Sequence, residues 1–189
     1  LHAVSGERQA HCQLLVVPGR IEVPGSREWG FTLQLYQVRS RQSWSMGDLH
    51  DLRDLASWSA AGLGAGFVLV NPLHAADSIA PMQPSPYFPA SRRFLNPIYL
   101  RVEDVPEVAL LPPTVVGAAG APLRAKNELD EPLDRDAVWA AKRGTLEVAF
   151  ELRRDPGRQV AFANFVDEQG EALTDFATWS ALADIHGLP

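Results

Sequence analysis

The chain has 189 residues, 46% hydrophobic and 21% charged, with a net charge of −6, which is enough apolar material for one medium core or two small ones. The acidic balance argues against a nucleic-acid surface, which carries a basic stripe, and no apolar run approaches the roughly 20 residues needed to span a bilayer. Cys12 is the only cysteine, so no intramolecular disulfide can form, in keeping with a reducing cytoplasm.

Residues 1–18 read as a β-hairpin. Residues 1–4 form one strand, Ser5-Gly6-Glu7-Arg8 the turn and residues 9–17 the second strand, ending in the apolar run Leu14-Leu15-Val16-Val17. Glu7, Arg8, His11 and Gln13 interrupt this stretch, so it does not read as a signal peptide. The chain opens without Met inside a strand and closes on the helix stop Gly187-Leu188-Pro189, so both ends read as cut. A lone hairpin is marginal in water and is expected to belong to a larger β domain. Residues 18–30, rich in Pro and Gly, read as a linker.

Residues 31–38 alternate as a strand. Asp48 is placed to cap a helix, because its carboxylate can accept from the first free amides. Leu49, Leu52, Leu55, Ala56, Ser59 and Leu63 keep the helical period, and Gly62 or Gly64 ends it. The apolar run at 67–71 reads as a parallel strand buried on both faces. Residues 31–71 are therefore expected to form a strand–helix–strand unit. Residues 104–133 are Pro-rich and patterned like neither helix nor strand. Asp134 caps a long helix to about Arg154, with Val138, Ala141, Thr145, Leu146, Ala149 and Leu152 on one face. Asp155-Pro156-Gly157 is read as its stop. Residues 159–169 form a shorter helix, and 172–186 another with Phe176, Trp179, Leu182 and Ala183 facing inward.

Several chemistries lack their residues. Gly62, Gly64 and Gly66 lie between helix and strand, whereas a dinucleotide fingerprint follows a strand. His2, His11, His50, His74 and His186 show no zinc spacing, so no metal site is expected. No Gly-x-Ser-x-Gly elbow occurs. Asp48, Asp51 and Asp54 step along one helix, whereas a glycosidase pair converges on one bond from different elements, about 5–5.5 Å apart in retaining enzymes. They are read as a solvated acidic face near a helix N-terminus.

Pro84-Ser85-Pro86-Tyr87-Phe88-Pro89-Ala90-Ser91-Arg92-Arg93-Phe94-Leu95-Asn96-Pro97-Ile98-Tyr99-Leu100 stands apart. Prolines stiffen the backbone and aromatic rings offer flat apolar faces. This is a rigid loop following Asn71-Pro72-Leu73-His74, at the C-terminal end of an inferred parallel strand, where α/β barrels build their chemistry. Tyr87 offers a hydroxyl and a ring face to a sugar. Phe94 and Tyr99 are expected to pin the loop.

Three segments carry a family resemblance. They are Trp29-Gly30-Phe31-Thr32-Leu33-Gln34-Leu35-Tyr36 leading through Trp44 to Met46-Gly47-Asp48-Leu49; Gly62 to Leu73; and the Ser85-Pro86-Tyr87 motif followed by Asn96-Pro97. Together they resemble the start of the catalytic barrel of glycoside hydrolase family 77, the amylomaltases or 4-α-glucanotransferases, in its actinobacterial branch. Residues 134–143 and 173–179 resemble that family's helical insertion.

The resemblance implies an α/β fold: a partial (β/α)8 TIM barrel, with its first βαβ and a helical insertion, preceded by a hairpin from an N-terminal β-sandwich-like domain. The implied division is 1–24 for the end of that β domain and linker, 25–103 for the start of the barrel, and 104–189 for the insertion. The implied activity is transfer of α-1,4-glucan segments between maltooligosaccharides by a retaining double displacement. Tyr87 is implied to contact the sugar beside the scissile bond, and Ser85 to lie near the acceptor side. The family's three catalytic carboxylates come from later strands, so no catalytic residue is assigned here and the chain is expected to be a fragment. No cofactor or metal is implied; the partners are α-glucans, with no nucleic acid and no membrane, in the cytoplasm. The alternative reading is a non-catalytic α-glucan-binding or scaffold module using the same loop.

Overall fold

The computed structural model describes residues 2–5, 8–12, 14–20, 25, 27–77 and 79–187. Strands β1 (His2–Ser5) and β2 (Arg8–His11) pair antiparallel from His2 opposite His11 to Ser5 opposite Arg8. The expected turn residues Gly6 and Glu7 lie outside the described residues. The second strand is shorter than expected. It ends at His11, and Leu14 to Val17 are 60–87% exposed. β-propensity is realised only against a facing strand, and among the described residues none faces this run.

Strand β3 (Gly30–Leu33), helix α1 (Leu49–Leu63) and strand β4 (Phe67–Val70) form the expected unit, with β3 and β4 parallel from Gly30 opposite Phe67 to Leu33 opposite Val70. β3 stops at Leu33 rather than 38, because residues 35–37 turn into a 3-10 helix that carries Leu35 into the core. Asp48 caps α1 as expected, accepting from the amides of His50 and Asp51. Gly64, at φ 69°, ends it; glycine takes the left-handed conformation without the Cβ penalty. The expectation of burial on both faces fails for β4. Phe67 and Leu69 are 47% and 58% exposed, while Val68 and Val70 are half-buried. A parallel sheet is ordinarily covered on both sides, and here one side is open.

The segment 72–101 holds a second short hairpin, β5 (His74–Ala75) against β6 (Ser91–Leu95), followed by a 3-10 turn at Pro97–Tyr99. Residues 104–133, expected to be irregular, contain a short 3-10 segment and the 12-residue helix α2 (Pro113–Arg124). Pro113 sits at the helix start, where its missing N–H costs nothing. Gly120 lets the helix close on Trp44: a Cβ there would lie 2.6 Å from the indole ring.

Helix α3 (Arg135–Phe150) begins at the expected cap, with Asp134 accepting from the Ala137 amide. Val138, Thr145 and Ala149 are buried on the expected face. It ends four residues earlier than expected, and Asp155 is not a stop: it caps helix α4 (Pro156–Gln169), accepting from the amides of Gly157 and Arg158. Helix α5 (Glu171–His186) follows. Ala183 is buried and Phe176 half-buried on it, but Trp179 and Leu182 are 36% and 52% exposed, against expectation.

One apolar cluster joins these parts. Leu35, Trp44, Met46, Ile98, Val102 and Val138 are each at most 1% exposed within it. The core thus sits where the loops after β3 and β4 meet helices α2 and α3.

Candidate functional site

The ends of β3 and β4 are tied by one side chain. Asn71, the residue after β4, accepts from the Leu35 amide at 2.7 Å and donates to the Tyr99 hydroxyl at 3.0 Å and to the Pro72 carbonyl at 2.8 Å. Three segments distant in sequence are thereby held in register. Burial holds the Tyr99 phenol above its ordinary range, with the Asn71 hydrogen bond acting in the opposite sense. Tyr99 pins the loop, as expected.

The return end of the loop is held by buried charge. The Arg101 guanidinium donates to both Asp48 and Asp51, at 3.1 Å and 2.8 Å through Nη2, and again to Asp48 through Nε. Burial works against its charge, but the two carboxylates outweigh burial and hold it above the ordinary arginine value. Arg101, Asp48 and Asp51 are 4%, 0% and 5% exposed. The solvated-face reading of Asp48, Asp51 and Asp54 is therefore corrected: only Asp54 faces solvent. A capping box accounts for the local half of the arrangement, since Asp51 also accepts from the Asp48 amide. Its other half comes from Arg101, some 50 residues away, which no helical spacing can reveal.

Lys142 of α3 completes the clamp. Its buried ammonium donates to the Ile98 and Leu100 carbonyls at 2.6 Å and 2.8 Å. Burial lowers its pKa to about 8, with Arg101 acting in the same sense and Asp48, Glu103 and Asp51 opposing. Trp44 and Arg124 both donate to Glu103, tying α2 to the same region. Phe94 stacks on Phe176 of α5 at 4.9 Å between ring centroids, so it pins the loop too, though to a helix instead of to the sheet.

Between these fixed ends the loop is presented outward. Tyr87 is 57% exposed and Phe88 72% exposed. Ser85 is half-buried, and its hydroxyl accepts from the Tyr87 amide at 3.3 Å, which sets the spacing of the two residues. Ser85 also lines a narrow crevice with His74, Met82, Asn96, Tyr99 and Arg135. Sequence reasoning missed His74 and Arg135 there. His74 stands in the motif after β4 and was legible; Arg135, placed by α3 and stacked over the Tyr36 ring at 5.0 Å, was not. The crevice holds about 20 Å³, room for roughly one water. Among the described residues, no group of three or more His, Cys, Asp or Glu side chains is arranged to hold a metal ion, and no helix is long and apolar enough to cross a membrane.

A family model described as 4-alpha-glucanotransferase, glycoside hydrolase family 77, matches residues 33–188. The chain belongs to this family. A 4-alpha-glucanotransferase of Mycobacterium bovis is 47% identical over 97% of the chain, and one of Haemophilus influenzae is 32% identical over 92%. The crystal structure of amylomaltase from Corynebacterium glutamicum superposes on the whole chain with a TM-score of 0.87 at 40% identity. The chain spans 26–28% of the length of these relatives. The family match takes in the loop, the clamp and helices α1 to α5.

Proposed function

We propose that this chain is one wall of the α-glucan site of a longer 4-α-glucanotransferase. In this reading β3, α1 and β4 are the first βαβ of a (β/α)8 barrel, β1–β2 belong to a preceding β domain, and α2–α5 form a helical insertion. The open face of β4, with Phe67 and Leu69 exposed, supports further structure packing there. The observation that carries the reading is an exposed Tyr87 on a loop anchored at both ends, by Asn71 and Tyr99 on one side and Arg101 and Lys142 on the other. Binding residues on loops held by a rigid scaffold at the C-terminal ends of parallel strands are the arrangement on which barrel enzymes depend.

Tyr87 presents a ring face and a hydroxyl to the glucose unit beside the scissile bond, and Ser85 lies toward the acceptor. The reaction is a retaining double displacement. A carboxylate attacks the anomeric carbon while an acid protonates the departing 4-oxygen, and the 4-hydroxyl of an acceptor glucan then displaces the carboxylate as its proton returns to the conjugate base. Both carboxyl groups lie outside this chain. The intact protein acts on maltooligosaccharides in the cytoplasm. Incubating the full-length protein with maltotriose is the test: glucose together with oligomers longer than the substrate is expected, and the absence of both overturns the reading.

A further inference from the structure

The Ser85-Pro86-Tyr87 motif lies between β5 and β6. The hydrogen bond from the Tyr87 amide to the Ser85 hydroxyl is internal to the motif. Met82, three residues before Ser85, is held from outside: its amide donates to Oδ1 of Asp136 on α3 at 2.8 Å. Met82 is 9% exposed and belongs to the apolar cluster, so both its backbone and its side chain are fixed just ahead of the motif.

Asp136 is not the cap of α3. Asp134 fills that place, accepting from the Ala137 amide, and the Asp136 carboxylate reaches out of the helix to the loop instead. Asp136 is half-buried in the first turn, where the helix dipole favours a negative charge. A charged acceptor also binds an amide more strongly than a neutral one does. Arg135 beside it stacks over the Tyr36 ring at 5.0 Å and lines the crevice with Met82, Pro84, Ser85 and Pro86. Six residues further along α3, about 9 Å of helix rise, Lys142 takes the Ile98 and Leu100 carbonyls. One helix thus grips the chain both before and after the motif, and its rigid backbone fixes the two grips relative to each other.

We propose that Asp136 is a positioning residue for glucan transfer: by holding the Met82 amide it sets where Tyr87 meets the sugar, without touching the sugar itself. This role rests on the reading of Tyr87 as the sugar contact. Loss of the bond to Met82 frees the chain five residues before the ring, and a displacement of about 1 Å in a substrate-orienting group can cost on the order of 10²-fold in rate.

Maltotriose disproportionation by the full-length protein tests it, comparing wild type, Asp136→Ala, Asp136→Asn, Tyr87→Ala and the double variant Asp136→Ala/Tyr87→Ala. Asp136→Ala should lower kcat/KM at least about tenfold. It should also raise KM, whereas a smaller folded fraction would lower kcat alone. Asp136→Asn keeps an acceptor oxygen of the same reach and should recover all but about threefold of the loss. In the Tyr87→Ala background, Asp136→Ala should cost less than about twofold, because changes acting through one contact do not add. Hydrogen exchange of the amides at 82–90 should quicken in Asp136→Ala and much less in Asp136→Asn. Asp136→Ser, too short to reach Met82, repeats the test if circular dichroism shows the Ala variant unfolded. A wild type that forms neither glucose nor longer oligomers overturns the glucanotransferase reading, and this role falls with it. With an active wild type, the positioning role alone is overturned by unchanged kcat/KM or unchanged exchange in Asp136→Ala, by an equal loss in Asp136→Asn, or by an equal loss with and without the Tyr87 ring.

Discussion

Replacing Arg101 with Ala should be among the most damaging single changes in this chain. The guanidinium makes three charge-assisted hydrogen bonds to Asp48 and Asp51, and all three residues are at most 5% exposed. Truncation leaves two carboxylates buried without a cation, a change that costs on the order of 3–5 kcal/mol. Against a typical total of about 5–15 kcal/mol, that is a large share of the stability. With a urea m-value of about 2 kcal/mol/M, the midpoint should fall by roughly 2 M. Trp44, buried and bonded to Glu103 nearby, gives a fluorescence signal for the transition. Removing one of the stranded charges in the double variant Arg101→Ala/Asp51→Asn should recover part of the loss, whereas Asp54→Ala, on the exposed side, should cost less than about 0.5 kcal/mol. A cost for Arg101→Ala below about 1 kcal/mol, near the range of surface pairs, would refute the clamp.

Other outcomes follow from the same contacts. Gly120→Ala should destabilise by about 1–3 kcal/mol although Ala is the better helix former, because the added Cβ meets the Trp44 ring; a neutral or stabilising result in urea melts counts against that packing. Lys142 is held at about 8 against its ordinary 10.5, chiefly by burial. The unfolded chain therefore binds more protons between those values, so stability should climb by about 3 kcal/mol as pH rises through the window, and stay flat below it. Lys142→Met should abolish that climb, and urea midpoints with the same pH slope in both proteins would contradict it. The 189-residue chain alone should release no glucose from maltotriose, since both reacting carboxyl groups are proposed to lie elsewhere; release by the purified chain would refute that.

What the sequence made legible is what local spacing encodes. The Asp48 cap, the 67–70 strand and the buried face of α3 each declare themselves within one or two helical turns, and the Ser85-Pro86-Tyr87 loop is marked by its own composition. Helix α2 was hidden because Pro113, Gly117, Gly120 and Pro122 all read as breakers. Pro113 falls where proline is harmless, and Gly120 is required by a ring 76 positions away in the chain, at Trp44. The Asp48–Arg101–Asp51 cluster was hidden for a related reason: three acids at intervals of three look solvated until a distant arginine is folded between two of them. Apolar spacing also overstated burial on α5, where Trp179 and Leu182 stay exposed, because a periodic stripe records the capacity to be covered and not the cover itself.

Tyr87 is proposed to touch the glucan in an enzyme that transfers it. Maltotriose disproportionation by the full-length protein, compared between wild type, Tyr87→Phe and Tyr87→Ala, tests this most directly. Glucose and longer oligomers are expected from the wild type, and a fall in kcat/KM of at least about tenfold in Tyr87→Ala, as the loss of a ring stacked on substrate implies. The Phe variant, which keeps the ring and loses only the hydroxyl, should fall in between. Wild-type activity that persists unchanged in Tyr87→Ala would contradict it.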